Sequence, residues 1–163
     1  MTKKTTNIVD HFHGRLYKKE QIENWDLPAR IQNDLGIEDF KYYFLTTSIE
    51  KEKHGHEHHI HFCLFPTKFE TVFLLEVETP KIVPKLLHEC LQIVKKEVKN
   101  ILTSTGFCKT EDLCYFGIFF SLPESNKRQL NELRVAVEEI NQVRDVNIFK
   151  YTTASKEALN VNY

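Results

Sequence analysis

The hydrophobic period of this chain changes repeatedly between residues 69 and 151, in the order strand, helix, strand, strand, helix, strand. Residues 69–78 are a dense apolar run that predicts a buried strand. Residues 82–98 repeat Ile82, Leu86, Cys90, Val94 and Val98 every four positions, with Val83, Leu87 and Leu91 beside them, which predicts an amphipathic helix with a wide apolar stripe. Residues 100–105 and 113–120 predict two further strands. Leu130, Leu133, Val137 and Ile140 mark a second helix, with Ser125 or Asn126 able to cap its start. Residues 146–151 complete the set. This order predicts an α+β domain of ferredoxin-like βαββαβ type over 69–152, an antiparallel sheet with both helices on one face.

Upstream, residues 1–39 predict a loose start followed by a helical segment, with Ile22, Leu27, Ile31 and Leu35 as apolar points. Pro28 interrupts that segment and Gly36 is placed to stop it. Residues 40–66 predict a β-hairpin. One strand alternates from Phe40 to Ile49, a polar turn follows at 50–55, and a return strand from His58 stops at Pro66. The hairpin can extend an edge of the later sheet or cover its open face, and either would remove an aggregation hazard. Residues 153–163 are a weakly patterned polar tail.

Lys and Arg number 22 against 23 Asp and Glu, a net charge of -1. That balance gives no broad attraction to nucleic acid or to an anionic membrane, so neither is expected as a partner. There is no signal peptide pattern and no apolar run of membrane-spanning length, so the expected location is cytoplasmic. Cys63, Cys90, Cys108 and Cys114 form no CxxC pair and are expected as free, mostly buried thiols. No GxSxG, Walker A or HExxH motif is present. The expectation is therefore a non-enzymatic role.

Three segments carry a family likeness. Residues 77–87, Val-Glu-Thr-Pro-Lys-Ile-Val-Pro-Lys-Leu-Leu, hold an acidic residue and a proline where a first strand passes into a first helix. Residues 98–102, Val-Lys-Asn-Ile-Leu, hold a hydrophobic-x-Asn-Ile entry to a second strand. Residues 133–148 hold a second helix, a short turn and a Val-x-x-Val step into the last strand. About half of the chain thereby resembles the ACT domain, a regulatory module that often senses amino acids as a dimer or higher assembly. The resemblance implies a homo-oligomer and an amino-acid-like small molecule. It also implies a ligand site at Glu78, Thr79, Pro80, Lys81 and Ile82, facing Asn100, Ile101 and Leu102 and completed across a subunit interface. Lys81 stands where amino-acid-binding members usually carry Gly, whose missing Cβ allows close approach to the backbone.

The histidine-rich run, His54-Gly55-His56-Glu57-His58-His59-Ile60-His61-Phe62-Cys63, offers another chemistry. On a strand His59, His61 and Cys63 share one face, and such donors suit zinc. His56, His59 and His61 are the candidate metal ligands of an alternative reading, a metal-binding protein or metal-dependent enzyme. A third reading is a scaffold subunit that docks a partner on its hairpin edge.

Overall fold

The computed structural model describes residues 8–51, 58–123 and 126–161. Its elements run α1 (Ile8–His11), β1 (His13–Lys18), α2 (Lys19–Glu23), α3 (Ala29–Asp34), β2 (Tyr42–Lys51), β3 (His58–Thr67), β4 (Thr71–Thr79), α4 (Pro84–Glu97), β5 (Ile101–Thr110), β6 (Leu113–Ser121), α5 (Lys127–Glu138), β7 (Asp145–Thr152) and β8 (Leu159–Asn160). The fold is α+β, with two antiparallel sheets. One has the order β1-β2-β3 and the other the order β5-β6-β4-β7-β8. The predicted helices and strands from residue 69 onward are present, with β5 running further than its apolar pattern foretold. Three elements were not anticipated. The stretch expected to be loose contains α1 and strand β1, and the polar tail adds β8 beside β7.

The five-stranded sheet is covered on both faces. On one face, Leu86, Cys90 and Val94 of α4 and Leu130, Leu133 and Val137 of α5 pack against the sheet. They meet Phe73, Leu75 and Val77 of β4 and Phe116, Ile118 and Phe120 of β6. On the other face, Val72 and Leu74 of β4, Phe119 of β6 and Tyr151 of β7 meet Ile8, Leu16 of β1 and Phe44 of β2. Of the two roles open to the hairpin, it takes the second: joined by β1, it lies over the face that the helices leave open. The outer face of this smaller sheet is covered at one end, where Tyr43 and Leu64 pack with Ile22 and Ile37, and is open at the other, where Ile60 and Phe62 of β3 are exposed.

Two contacts fix the sheets to each other. Phe44 lies with its ring centroid 5.0 Å from Tyr151 and 5.4 Å from Phe119, inside the range favourable for aromatic pairs. Gly14 leaves room for this cluster, because a Cβ there would stand 2.7 Å from Phe44 Cζ and 3.0 Å from Tyr151 Cε1. At the other end of the cluster the buried Thr67 hydroxyl donates to Ser121 Oγ at 2.6 Å, and Ser121 Oγ donates to the Thr71 carbonyl at 2.9 Å. These bonds secure the crossing from the small sheet to the large one. Glu76, 2% exposed, is the one charged residue among the buried residues described. Its Oε2 accepts the Ile8 N–H at 2.9 Å, which holds the start of α1 over the sheet.

Gly14→Ala forces a methyl group against two packed rings that have little room to move. The expected loss is about 1–3 kcal/mol, the usual cost of overpacking. It would be read as a lower urea midpoint with an unchanged slope. A midpoint equal to that of the parent protein would show that the two sheets are not packed this tightly at Gly14.

Candidate functional site

The end of β4 and the loop into α4 gather the first group of expected ligand residues. Thr79 is buried, and its hydroxyl donates to the Lys81 carbonyl at 3.0 Å, closing a tight turn around Pro80. Val83 then precedes Pro84, which occupies the first turn of α4, where a missing N–H costs nothing. The side chain of Ile82 reaches across β6 to β5. A Cβ on Gly106 would stand only 2.9 Å from Ile82 Cδ1 and 3.1 Å from the Tyr115 carbonyl oxygen. Gly106 thus lets the loop settle onto the edge strand.

Glu78 is an acidic group of this end, with Asp145 opposite it on β7. Its Oε1 accepts the Tyr115 hydroxyl at 3.1 Å, and its backbone carbonyl accepts the Arg144 N–H at 2.9 Å. Arg144 Nη1 also donates to the Asp112 carbonyl at 2.9 Å, tying the approach to β7 to the β5–β6 turn. Cys114 Sγ lies 3.7 Å from the Pro80 carbonyl oxygen. That sulfur is joined to Cys108 in a disulfide across paired positions of β5 and β6. Cys114 therefore has no S–H to donate, and the approach to Pro80 is a packing contact. The disulfide corrects the expectation of four free thiols, because strand register places Cys108 directly opposite Cys114. Cys90 is free and buried as expected, whereas Cys63 is free and exposed.

Asn100, Ile101 and Leu102 lie elsewhere. Ile101 is opposite Phe120 on β6, and Phe120 is opposite Phe73 on β4, whereas Thr79 is opposite Cys114. Six residues of β4 separate the two levels, roughly 20 Å at the usual rise of a strand. Within one chain the two halves of the expected site therefore stand at opposite ends of the sheet. Residues 100–102 border a shallow depression with Lys68, Lys99 and Pro66, and the Asn100 carbonyl accepts the Ser121 N–H at 2.9 Å.

The histidines are distributed differently again. His56 lies outside the described residues. His59 pairs with Glu50 in the β2–β3 ladder. His61 and Cys63 border a cleft between the sheets, across from Thr103 and Thr105 of β5. Among the described residues no group of three or more His, Cys, Asp or Glu side chains is arranged to hold a metal ion. His61 and Cys63 contribute two donors, one short of the three protein ligands typical of a catalytic zinc site. No helix among the described residues is long and apolar enough to cross a membrane.

Sequence reasoning missed two participants. Tyr115 reads as one more aromatic of a core strand, and only the β4–β6 register puts it beside Glu78. The threonines of β5 read as ordinary strand formers, and on a strand this polar their pattern does not distinguish a lining residue from a solvent-facing one. No family model matches this chain, and no curated protein matches it.

Tyr115 gives the site a measurable pH signature. Burial is the main cause that pushes its phenol up to about 12, helped by the hydrogen bond and charge of Glu78 and by the charges of Glu76 and Asp145. In the unfolded chain the group returns to its ordinary value of 10.0. The folded state therefore holds this proton more tightly. Its stabilisation is complete below pH 10 and is lost as the pH rises through about 12. Tyr151, also raised by burial and by Glu76, adds to the same fall. Tyr115→Phe should flatten the decline of the urea midpoint over that interval. A decline as steep as that of the parent protein would mean that folding does not hold the Tyr115 proton more tightly.

Proposed function

We propose that this chain is a non-enzymatic regulatory module of the ferredoxin-like, ACT-like kind, which binds an amino-acid-like small molecule and acts through self-association. The supporting observation is where residues 78–82 and residues 100–102 stand relative to the edge strand β5. The loop bearing Ile82 rests on β5 at Gly106, residues 100–102 lead into the other end of β5, and β5 is the outer strand of its sheet. Edge strands carry unpaired N–H and C=O groups that can join a second sheet. If β5 pairs with β5 of a second copy about a two-fold axis, the strands run antiparallel. The 100–102 end of one copy then comes beside the 78–82 end of the other, and each pairing makes two equivalent sites.

In such a site the Glu78 carboxylate would accept the ammonium group of the ligand, and the backbone of residues 100–102 from the second copy would supply acceptors and donors. Lys81 takes the place of the family's glycine, so its Cβ narrows the pocket and its ammonium suits a carboxylate of the ligand. Ligand binding across the two copies would favour the paired state over the single chain.

Sedimentation velocity, combined with calorimetry against a panel of free amino acids, tests this reading. The expected result is a dimer that one member of the panel tightens. Ser104→Lys, on an exposed position of β5, should weaken pairing by about tenfold, or about 1.4 kcal/mol, by adding like charges to the joined edges. Glu78→Ala should remove the heat of binding while the fold is kept. A chain that stays monomeric at every concentration, or heat that survives Glu78→Ala, would overturn the proposal.

A further inference from the structure

The cleft between the two sheets is built unlike the rest of their contact. Through β1, β2, β4 and β7 the facing residues are apolar and closely packed. Toward β3 and β5 polar side chains enter among the aromatic ones, with His61 and Cys63 on β3 and Thr103 and Thr105 on β5. On the smaller sheet Thr46 lies opposite Cys63. On the larger sheet Thr103 and Thr105 border the same space, and Phe119 forms its floor. The inner faces of packed sheets are ordinarily filled by interdigitating apolar side chains. Here threonines stand where large residues would close the gap, and a volume of about 180 Å³ is left. Positions where a packing rule fails locally are the places to look for function.

We propose that this cleft binds a small, uncharged, flat molecule: a single aromatic or heteroaromatic ring bearing one or two hydrogen-bonding groups. The inference is independent of the pairing proposed above. Size sets the first limit, since a cavity of about 150 Å³ takes one benzene. Charge sets the second. Among the described residues no Lys, Arg, Asp or Glu borders the cleft and its one basic side chain, His61, is solvent-exposed, so a charged ligand would lose its hydration without gaining a buried counter-ion. Shape and chemistry set the third. The Phe119 and Phe65 rings offer apolar surface to the body of the molecule. The threonine hydroxyls, each donor and acceptor, suit the mixed edge of an amide, phenol or ring nitrogen.

Cys63 makes the cleft open to a direct test. It is exposed at the mouth, whereas the other free thiol, Cys90, is buried. A maleimide adds to the Cys63 thiolate: an S–C bond forms, the C=C π bond is lost, the proton goes to the neighbouring carbon and nothing leaves. N-phenylmaleimide carries a flat ring and N-ethylmaleimide does not. The rate ratio of the two, measured by intact mass on the folded chain, is compared with the ratio for the chain unfolded in urea. The expected result is a ratio raised about tenfold on folding, which corresponds to about 1.4 kcal/mol of binding by the ring. Thr105→Trp should fill the cleft and return the ratio to the unfolded value while N-ethylmaleimide still reacts. Thr103→Phe serves if Thr105→Trp does not fold. An equal ratio in the folded and unfolded chains overturns the proposal, as does a raised ratio that survives a folded cleft-filling variant. A ratio that rises only at protein concentrations where the chain pairs also overturns it, because the ring would then be captured between copies.

Discussion

The structure depends on a five-stranded sheet whose central strand must be dry on both faces. β4 sets that requirement, because Thr71 to Val77 is an unbroken run of buried positions. A strand with one wet face would alternate; this one cannot be satisfied by the two helices alone. The second cover comes from residues that precede β4 in the chain: Ile8, Leu16 and Phe44. The N-terminal third is therefore not an attachment to a finished domain. It supplies half of the apolar cover that the central strand needs, and the Glu76 bond to Ile8 fixes where that cover begins.

Much of this was legible in the chain. The change between periods of 3.6 and 2 gave the elements from residue 69 onward, and the alternation from Phe40 gave the hairpin. What period cannot give is partnership. β1 is a six-residue strand with one buried residue, Leu16, so its pattern hardly departs from that of a loop. Gly106 reads as a break, yet β5 runs through it, because Ile82 and the neighbouring strand fill the room a side chain would need. Glu76 lies in a strand read as buried, but its partner, the Ile8 N–H of α1, is 68 residues away in the chain and is given only by the fold. The join between Cys108 and Cys114 depends on β5–β6 register, which no count of cysteines reveals.

The candidate sites divide in the same way. Residue types were readable: an acidic residue before a proline, a histidine-rich strand, a free thiol. Their distances were not. Residues 78–82 and 100–102 look like two halves of one pocket when the chain is read as a line. The sheet separates them by the length of β4, so any union between them belongs to two chains. His61 and Cys63 look like part of a metal cluster in sequence. In space they border a cleft whose opposite wall carries hydroxyls.

The aromatic contact that joins the sheets also has a consequence for how the molecule is made. Phe44 leaves the ribosome early, but Tyr151, one of its partners, follows roughly a hundred residues later. At ordinary rates of synthesis, about 5–20 residues per second, that interval lasts some seconds. Val72 and Leu74 of β4 arrive first and Phe119 of β6 later, so until β7 emerges the apolar inner face of the small sheet is only partly covered. The nascent chain passes through a stage at which its first half is sticky and unfinished, and co-translational protection by a chaperone would matter most before β7 emerges.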